Sequence, residues 1–271
     1  MSTSHELHTA RVAEAFDNVA EIFENSLENE TTRGLREKVY SVIESLVPAG
    51  ASILDINCGI GIDAVALFRR GYRVVGVDIS PNMIREAVER ARQARATEAA
   101  FRVGSFQDLS SIQGKPFDLV LSNFGGLNCV GSLENVAEQV ASITRPGGYF
   151  VAVVMPPFSL WELLAGLVRH NFNFAFRRLR TNVQASGFGG KSFTVSYFSP
   201  GKFASVFSRW FEVKQVRGFN IVSPPPHATR FVSSSPRLTQ RLVRLEEMIA
   251  AFPLLRSIGD HYLMVLRRKT F

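Results

Sequence analysis

Cysteine is nearly absent: only Cys58 and Cys129 occur in 271 residues, so no disulfide framework can carry the fold. The start of the chain is acidic and polar, without the basic end and apolar middle of a secretory leader, which predicts a cytoplasmic protein in a reducing compartment. A long uninterrupted apolar run is also lacking. "YFVAVVMPPFSLWELLAGLV", residues 149–168, comes nearest, but its paired prolines and Glu162 interrupt it and predict a buried strand followed by a helix. There is no internal repeat and no low-complexity linker, which argues against a solenoid or a chain of separate modules. Acids are scarce in the C-terminal half: between Arg169 and Arg241, Glu212 alone stands against twelve Lys or Arg.

The remaining composition, 46% hydrophobic, suffices for one large core. Short apolar or β-branched runs alternate with helical patterns, as in a parallel sheet covered on both faces. Strands are expected at "SILDI" (52–56), "RVVGVDI" (73–79), "AAFRVGS" (99–105), "FDLVLSN" (117–123) and "YFVAVVM" (149–155). "GIDAVALFRRG", "SPNMIREAVERARQARA", with a serine cap followed by proline, and "SLENVAEQVASIT" supply the intervening helices. After the fifth strand the pattern changes. Trp161, Leu164, Val168, Phe172 and Phe176 recur at helical spacing in an inserted segment, followed by the glycine-rich "SGFGGK". "SFTVSYFSP", a short helix around "GKFASVFSRWF", a strand "EVKQVRGFNIV" and a helix from about Pro236 to Ala251 follow, the last with Leu238, Leu242, Leu245 and Ile249 on one face. "DHYLMVLRRK" closes the chain as an apolar strand able to insert antiparallel between its neighbours.

The fold expected is therefore α/β: a Rossmann-like, doubly wound, mostly parallel seven-stranded sheet with an antiparallel C-terminal strand and a helical insertion after the fifth strand. A single domain over 1–271 is expected, with an N-terminal helical segment (1–45), a core of alternating strands and helices (46–156), an inserted cap (157–191) and C-terminal strands and helix (192–271).

"ILDINCGIGIDA", residues 53–64, fits a glycine loop that lets a ligand approach the backbone. Gly59, Gly61 and Ala64 match G-x-G-x-x-A, and Asp78 follows where a ribose-binding acid belongs, so a dinucleotide is one reading. Asp55 argues for another. A carboxylate before the glycines would repel a pyrophosphate but attract a cofactor bearing an ammonium and a sulfonium.

Five stretches in order carry a resemblance: "LDINCGIGIDA", "VVGVDISPNMI", "FRVGSFQDL", "FDLVLSNFGGLN" and "ITRPGGYFVAVV". Together they resemble the motifs of the class I S-adenosylmethionine-dependent methyltransferases, with a nicotinamide-dependent oxidoreductase as the competing reading. The resemblance implies S-adenosyl-L-methionine as cofactor. It implies that Asp55 holds the methionine amino group and that the backbone around Asn57, Gly59 and Gly61 lines the methionine and ribose. Asp78 would accept the ribose hydroxyls, and Ile79 and Met83 would pack on adenine. Ser105 stands where the family often has an acid, so adenine recognition would rest partly on the backbone of Phe106, with Asp108 in a loop or capping role. Asn123 and Phe124 would lie near the transferring methyl. Asn57 is expected to take a left-handed backbone, and the N-terminal helix, with Val12, Phe16, Ala20 and Phe23, to fold over the cofactor. Arg33 and Arg36 are both candidates for the methionine carboxylate.

The acceptor is less legible. A base is optional for methyl transfer; His227 and Tyr197 are the candidates, with His170 weaker. The fourth motif reads "SNFG" and lacks the Asn-Pro-Pro-aromatic sequence of enzymes that methylate amino groups of bases. Residues 169–241 hold eleven of the twenty-two phenylalanines, most of them expected to line or close a pocket for a small, hydrophobic or lipid-like acceptor, with an anionic group for the basic charge to meet. An RNA or protein acceptor on that basic, aromatic surface, peripheral contact with a membrane, and a non-catalytic S-adenosylmethionine-binding partner protein are the alternatives.

Overall fold

Period-two alternation sends successive residues of the central strands to opposite faces, and helices cover both. The computed structural model describes residues 2–24, 28–96, 98–112, 116–130, 132–180, 183–188 and 190–270. Its strands are β1 (Ser52–Asp55), β2 (Arg73–Asp78), β3 (Ala100–Val103), β4 (Phe117–Ser122), β5 (Thr144–Val154), β6 (Val183–Phe188), β7 (Lys191–Val195), β8 (Phe211–Phe219) and β9 (His261–Arg268). Seven form one sheet in the order β3-β2-β1-β4-β5-β9-β8. The first five are parallel, and β9 runs antiparallel between β5 and β8. The sheet and its inserted last strand are as the sequence predicts.

One face buries Leu54, Val120, Phe150, Ala152, Met264 and Leu266 under α5 (Glu134–Ile143) and α8 (Pro200–Phe207). The other buries Ile53, Leu119, Val151, Val153, Leu263 and Val265 under α2 (Glu30–Leu46) and α3 (Ile62–Arg69). The segment 1–45 is thus mixed. α1 (Ser2–Asp17) ends before the helical spacing of Val12, Phe16, Ala20 and Phe23 runs out, a 3-10 turn follows at Ala20–Ile22, and α2 packs Leu35, Val39, Tyr40 and Ile43 into the core rather than over a site. In α4 (Pro81–Gln93), Ser80 Oγ accepts from the Met83 amide at 3.0 Å with Pro81 in the first turn, as read from "SPNM".

The inserted segment departs from its pattern. Its helical spacing breaks at His170, which has φ +53°, giving α6 (Leu160–Val168) and a short α7 (Phe172–Ala175). Gly166 imposes the tight turn: a Cβ there would lie 2.6 Å from Ala175 Cβ. "SFTVSYFSP" contributes β7, which pairs with β6 in a separate hairpin, so the glycine-rich stretch lies within a β-hairpin. Gly190 has φ +74°, and residue 189 lies outside the described residues.

The phenylalanines of 169–241 also depart from expectation. Phe198, Phe203, Phe207, Phe211 and Phe219 are buried in the core layers. Phe203 and Phe207 stack at 4.7 Å between centroids, with Phe150 5.2 Å from Phe207. Among the described side chains of this set, Phe193 alone reaches the chamber described below. Their burial against the sheet outweighs any pocket-lining role because each fully buried aromatic removes a large apolar area from water.

α10 (Pro236–Ile249) is fixed by Glu246, which is buried. Its Oε1 accepts from the Asn220 amide at 2.9 Å, and its Oε2 accepts from the amides of Ile221 (2.9 Å), Val222 (3.3 Å) and Ser223 (2.9 Å). One carboxylate thus satisfies the amides of a whole turn whose first residue, Asn220, is left-handed at φ +52°. Glu246→Ala strands those donors and is expected to cost about 3 to 5 kcal/mol. By calorimetry that should appear as a drop in Tm on the order of 10 °C; an unchanged Tm would show that the turn does not depend on Glu246.

Candidate functional site

The strand order reverses between β1 and β4, and in open α/β sheets the crevice at the carboxyl ends of such strands is where ligands bind. A chamber of about 400 Å³ lies there, in the size range of small-molecule sites.

Its floor is the loop after β1. Gly59 (φ +51°) and Gly61 (φ +77°) take the left-handed backbone. They differ in what they make room for. A Cβ on Gly61 would lie 2.9 Å from Ala87 Cβ, so that glycine serves the packing of α3 on α4, whereas a Cβ on Gly59 would meet nothing within 4 Å and would project into open space. The Gly59 amide donates to Asp78 Oδ2 at 2.9 Å, and the Ser80 amide donates to Asp78 Oδ1 at 3.0 Å. Burial raises the Asp78 carboxyl above its ordinary value, and these backbone donors oppose the rise.

Asn57 is not left-handed. Its side chain is a stitch: Nδ2 donates to the Asn123 carbonyl at 2.8 Å and Oδ1 accepts from the Ser122 hydroxyl at 2.6 Å, tying the loop after β1 to the end of β4. The expectation of a left-handed asparagine fails because Gly59 and Gly61 already make the turn. Gly126 closes against this stitch, since a Cβ there would lie 2.5 Å from Asn57 Cγ.

Asp55 is fully buried, accepts from the Asn57 amide at 3.4 Å, and leaves Oδ2 without a partner. It does not line the chamber. Burial first, and Asp63 second, push its carboxyl well above the usual range. Asp63, in the first turn of α3, lines the chamber in its place. It accepts from Arg36 Nη1 at 2.5 Å, from the Tyr40 hydroxyl at 2.5 Å and from Asn123 Nδ2 at 3.1 Å. Arg36 also donates to Glu28 at 2.6 Å, and its guanidinium lies 4.6 Å from the Phe124 ring centroid. Burial opposes the charge on Arg36, but Asp63 and Glu28 outweigh it and raise its pKa further. Arg33 is exposed, so of the two arginines only Arg36 faces the chamber.

Ile79, Met83, Ser105, Phe106, Asn123 and Phe124 all line the chamber. Ser105 Oγ accepts from the Gln107 amide at 3.2 Å, while exposed Asp108 caps Ser110, the loop role the sequence suggests. Phe124 is left-handed at φ +49°, a strained setting for an aromatic residue, and its ring meets His261 edge-on at 6.1 Å. α1 covers the chamber with Val12 and Phe16. Asp17 latches it by accepting from the Ser80 hydroxyl (2.7 Å), the Asn82 amide (2.8 Å) and Asn82 Nδ2 (2.7 Å).

Of the candidate bases, His227 is exposed and outside the chamber lining. Tyr197 is also outside it, and burial raises its hydroxyl's pKa, opposed by Arg177 and Arg178. His170 is exposed. The histidine that faces the chamber is His261, at the start of β9, unremarked in "DHYLMVLRRK". Asp260 Oδ2 lies 3.0 Å from its Nδ1, a close contact that falls short of an aligned hydrogen bond. Nε2 is on the Gly125 side, where a Cβ would stand 3.7 Å away. Behind the pair, Arg178 donates to Asp260 Oδ1 at 2.5 Å and to its carbonyl at 2.8 Å, and Glu162 accepts from Arg178 at 2.6 Å. Burial would raise the Asp260 carboxyl, but His261, Arg178 and His227 hold it far below the usual range, so it stays ionised. Burial pushes the chamber's Cys129 thiol up to about 12, which leaves no thiolate nucleophile at neutral pH.

Residues 48–173 match a family described as a methyltransferase domain. The chain is 31% identical over 109 residues to a ubiquinone biosynthesis O-methyltransferase of Xanthomonas axonopodis pv. citri (strain 306), covering 38% of this chain and 42% of that protein. It is 28% identical over 169 residues to a tRNA 5-carboxymethoxyuridine methyltransferase of Escherichia coli (strain K12), covering 59% and 62%. The matches thus span less than two thirds of either relative. Among solved structures, the Burkholderia thailandensis 1,6-didemethyltoxoflavin-N1-methyltransferase, with its substrate and S-adenosylhomocysteine bound, superimposes with a TM-score of 0.61 at 16% identity, over 100% of this chain and 92% of that one. The magnesium protoporphyrin IX methyltransferase of Synechocystis PCC 6803 with bound S-adenosylhomocysteine gives 0.59 at 14%, over 97% and 100%.

Proposed function

We propose that this chain, whose residues 48–173 match a methyltransferase domain, is a class I S-adenosylmethionine-dependent methyltransferase that methylates a hydroxyl of a small, largely apolar acceptor held in the chamber. The observation that carries this reading is the convergence on one chamber of a nucleoside cradle, Gly59 with Asp78, and the His261 and Asp260 pair. The residues present fit the cofactor: open space above Gly59, a buried carboxylate at the end of β2, and a cation and an acid, Arg36 and Asp63, at the polar end. When bound, S-adenosylmethionine supplies an electrophilic methyl on its sulfonium.

In this reading Asp78 accepts the ribose hydroxyls, Ile79 and Met83 flank the adenine, and Ser105 and the Phe106 backbone meet its edge. Arg36 and Asp63 complement the carboxylate and ammonium of the methionine part, with Asp55 a buried neighbour behind them. Val12, Phe16, Val130, Met155 and Phe193 line the apolar side that receives the acceptor and excludes water. His261 Nε2 takes the acceptor's proton while Asp260 stabilises the imidazolium that forms. The ubiquinone-biosynthesis relative favours an oxygen acceptor on an apolar molecule. Core burial of five phenylalanines of 169–241 removes much of the surface on which RNA bases would have stacked.

Incubation of an extract with methyl-labelled S-adenosylmethionine and the protein, followed by mass spectrometry of the product, is the test. Label on a small hydroxylic compound is expected; label on RNA or protein, or no turnover while the cofactor binds, would replace the acceptor assignment. The lid gives a second measurement. Asp17→Ala removes three hydrogen bonds between α1 and α4 and is expected to speed S-adenosylhomocysteine dissociation about tenfold in stopped flow, with Tm nearly unchanged. An unaltered off-rate would show that α1 does not gate the chamber.

A further inference from the structure

Two neighbouring elements carry large apolar side chains into solvent. In the inserted segment Val168 is 80% exposed, Phe172 59% and Leu179 59%; on α10 and the turn after it Leu245 is 44%, Met248 80% and Leu254 82%. The apolar stripe of α10 is thus split: Leu242 and Ile249 are half-buried on the side of buried Glu246, which grips residues 220–223, while Leu238 and Leu245 are left exposed beside Met248. The start of α6 is anchored to the segments that flank α10. The Leu160 amide at the start of α6 donates to the Ile258 carbonyl at 2.9 Å, and Trp161 packs edge-on against Phe231 of α9 (Thr229–Ser234) at 5.3 Å.

The charge around this apolar surface has one sign. Among the described residues Arg169, Arg230, Arg237, Arg241 and Arg244 are exposed and enter no ion pair within 4 Å. The acids of these elements are occupied: Glu162 is buried on Arg177 and Arg178, Glu246 is buried on backbone amides, and Glu247 pairs with Lys38 and Arg217. Exposed apolar groups set among unneutralised arginines fit a surface that offers hydrocarbon beneath a layer of negative charge.

We propose that α6, α7 and α10 form a docking face for an anionic lipid bilayer. The apolar side chains would enter the interfacial region while the arginines meet phosphate headgroups, and an acceptor dissolved in the membrane would be close at hand. The face stands on its own observations and does not depend on the identity of the acceptor.

The test is flotation of the full-length chain with vesicles of phosphatidylglycerol and phosphatidylcholine, against phosphatidylcholine alone. Binding to the mixed vesicles and little to the neutral ones is expected. Each basic residue near an anionic surface strengthens binding about fivefold, so Arg241→Glu with Arg244→Glu should lower the partition coefficient more than about tenfold. Met248→Ser with Leu254→Ser should lower it comparably, and neither pair should shift thermal unfolding, since all four side chains are exposed. The proposal is overturned by failure to bind anionic vesicles, by equal binding to neutral ones, or by binding that ignores both pairs of substitutions. A wild-type dimer that Met248→Ser with Leu254→Ser dissociates would instead make a second copy the occupant, and RNA binding lost with the arginines in the absence of vesicle binding would make RNA the occupant.

Discussion

Asp78→Ala is expected to lower affinity for S-adenosylhomocysteine by more than about 100-fold in titration calorimetry, the loss of two charge-assisted hydrogen bonds to a vicinal diol at roughly 1.5 kcal/mol or more each. The same substitution frees the Gly59 amide that Asp78 holds at 2.9 Å, so the cradle loosens as the ligand contact disappears. Asp78→Asn keeps the shape and one acceptor oxygen and should lose less. Stability should not follow affinity. Burial raises the folded-state pKa of Asp78 above its unfolded value, so the folded form binds the extra proton between the two, and the stability this gives at low pH is lost as pH rises through the folded value. At neutral pH the ionised carboxylate is therefore a burden on the fold, and Asp78→Asn is expected to keep or raise Tm. Cofactor affinity should fall on acidification, beginning above the ordinary carboxylate range, because the protonated group loses the charge that attracts the diol. An Asp78→Ala protein that binds S-adenosylhomocysteine normally would remove Asp78 from the site.

What the sequence revealed and what it hid divide along a physical line. Features set by local backbone chemistry were legible: the glycine loop of Gly59 and Gly61, the Ser80 cap with Pro81, the carboxylate at the end of β2, and the continuous apolar run of β9 that marks a strand buried on both faces. Features set by which side chains meet were not. Asn57 is held by groups at the end of β4, so its own preference for left-handed backbone had no bearing on its conformation. Asp63 lies within the quoted glycine loop, two residues after Gly61, but an acid in a first helical turn is ordinarily a dipole partner, and nothing in its spacing shows that Arg36, Tyr40 and Asn123 converge on it. The phenylalanine content of 169–241 could serve a pocket, an RNA surface or a core, and only the packing of the layers assigned five of the eleven to the core, three of them on Phe150. The stripe on α10 divides because periodicity gives a helix its apolar face without saying how that face is set against the core; buried Glu246 turns Leu242 and Ile249 inward and leaves Leu238 and Leu245 exposed.

His261→Ala is expected to lower kcat/KM for methyl transfer by about 10² to 10⁴-fold while leaving S-adenosylhomocysteine affinity within about threefold, since the ring adjoins Phe124 and Gly125 on the acceptor side and not Asp78. Asp260→Asn should cost about ten- to a hundredfold, because the neutral amide no longer stabilises the imidazolium and leaves Arg178 with one charged partner fewer. His261→Gln separates position from proton transfer: it keeps a polar side chain against Asp260 but cannot take a proton at neutral pH, so its rate should resemble that of the alanine variant. Comparable activity in the wild-type and His261→Ala proteins would mean that the acceptor needs no base, as for a neutral amine attacking directly, and would move the methylated atom from oxygen to nitrogen while leaving the cofactor site as described. Loss of cofactor binding along with rate would instead mean that His261 props Phe124, whose strained backbone and contact with Arg36 join the two ends of the chamber.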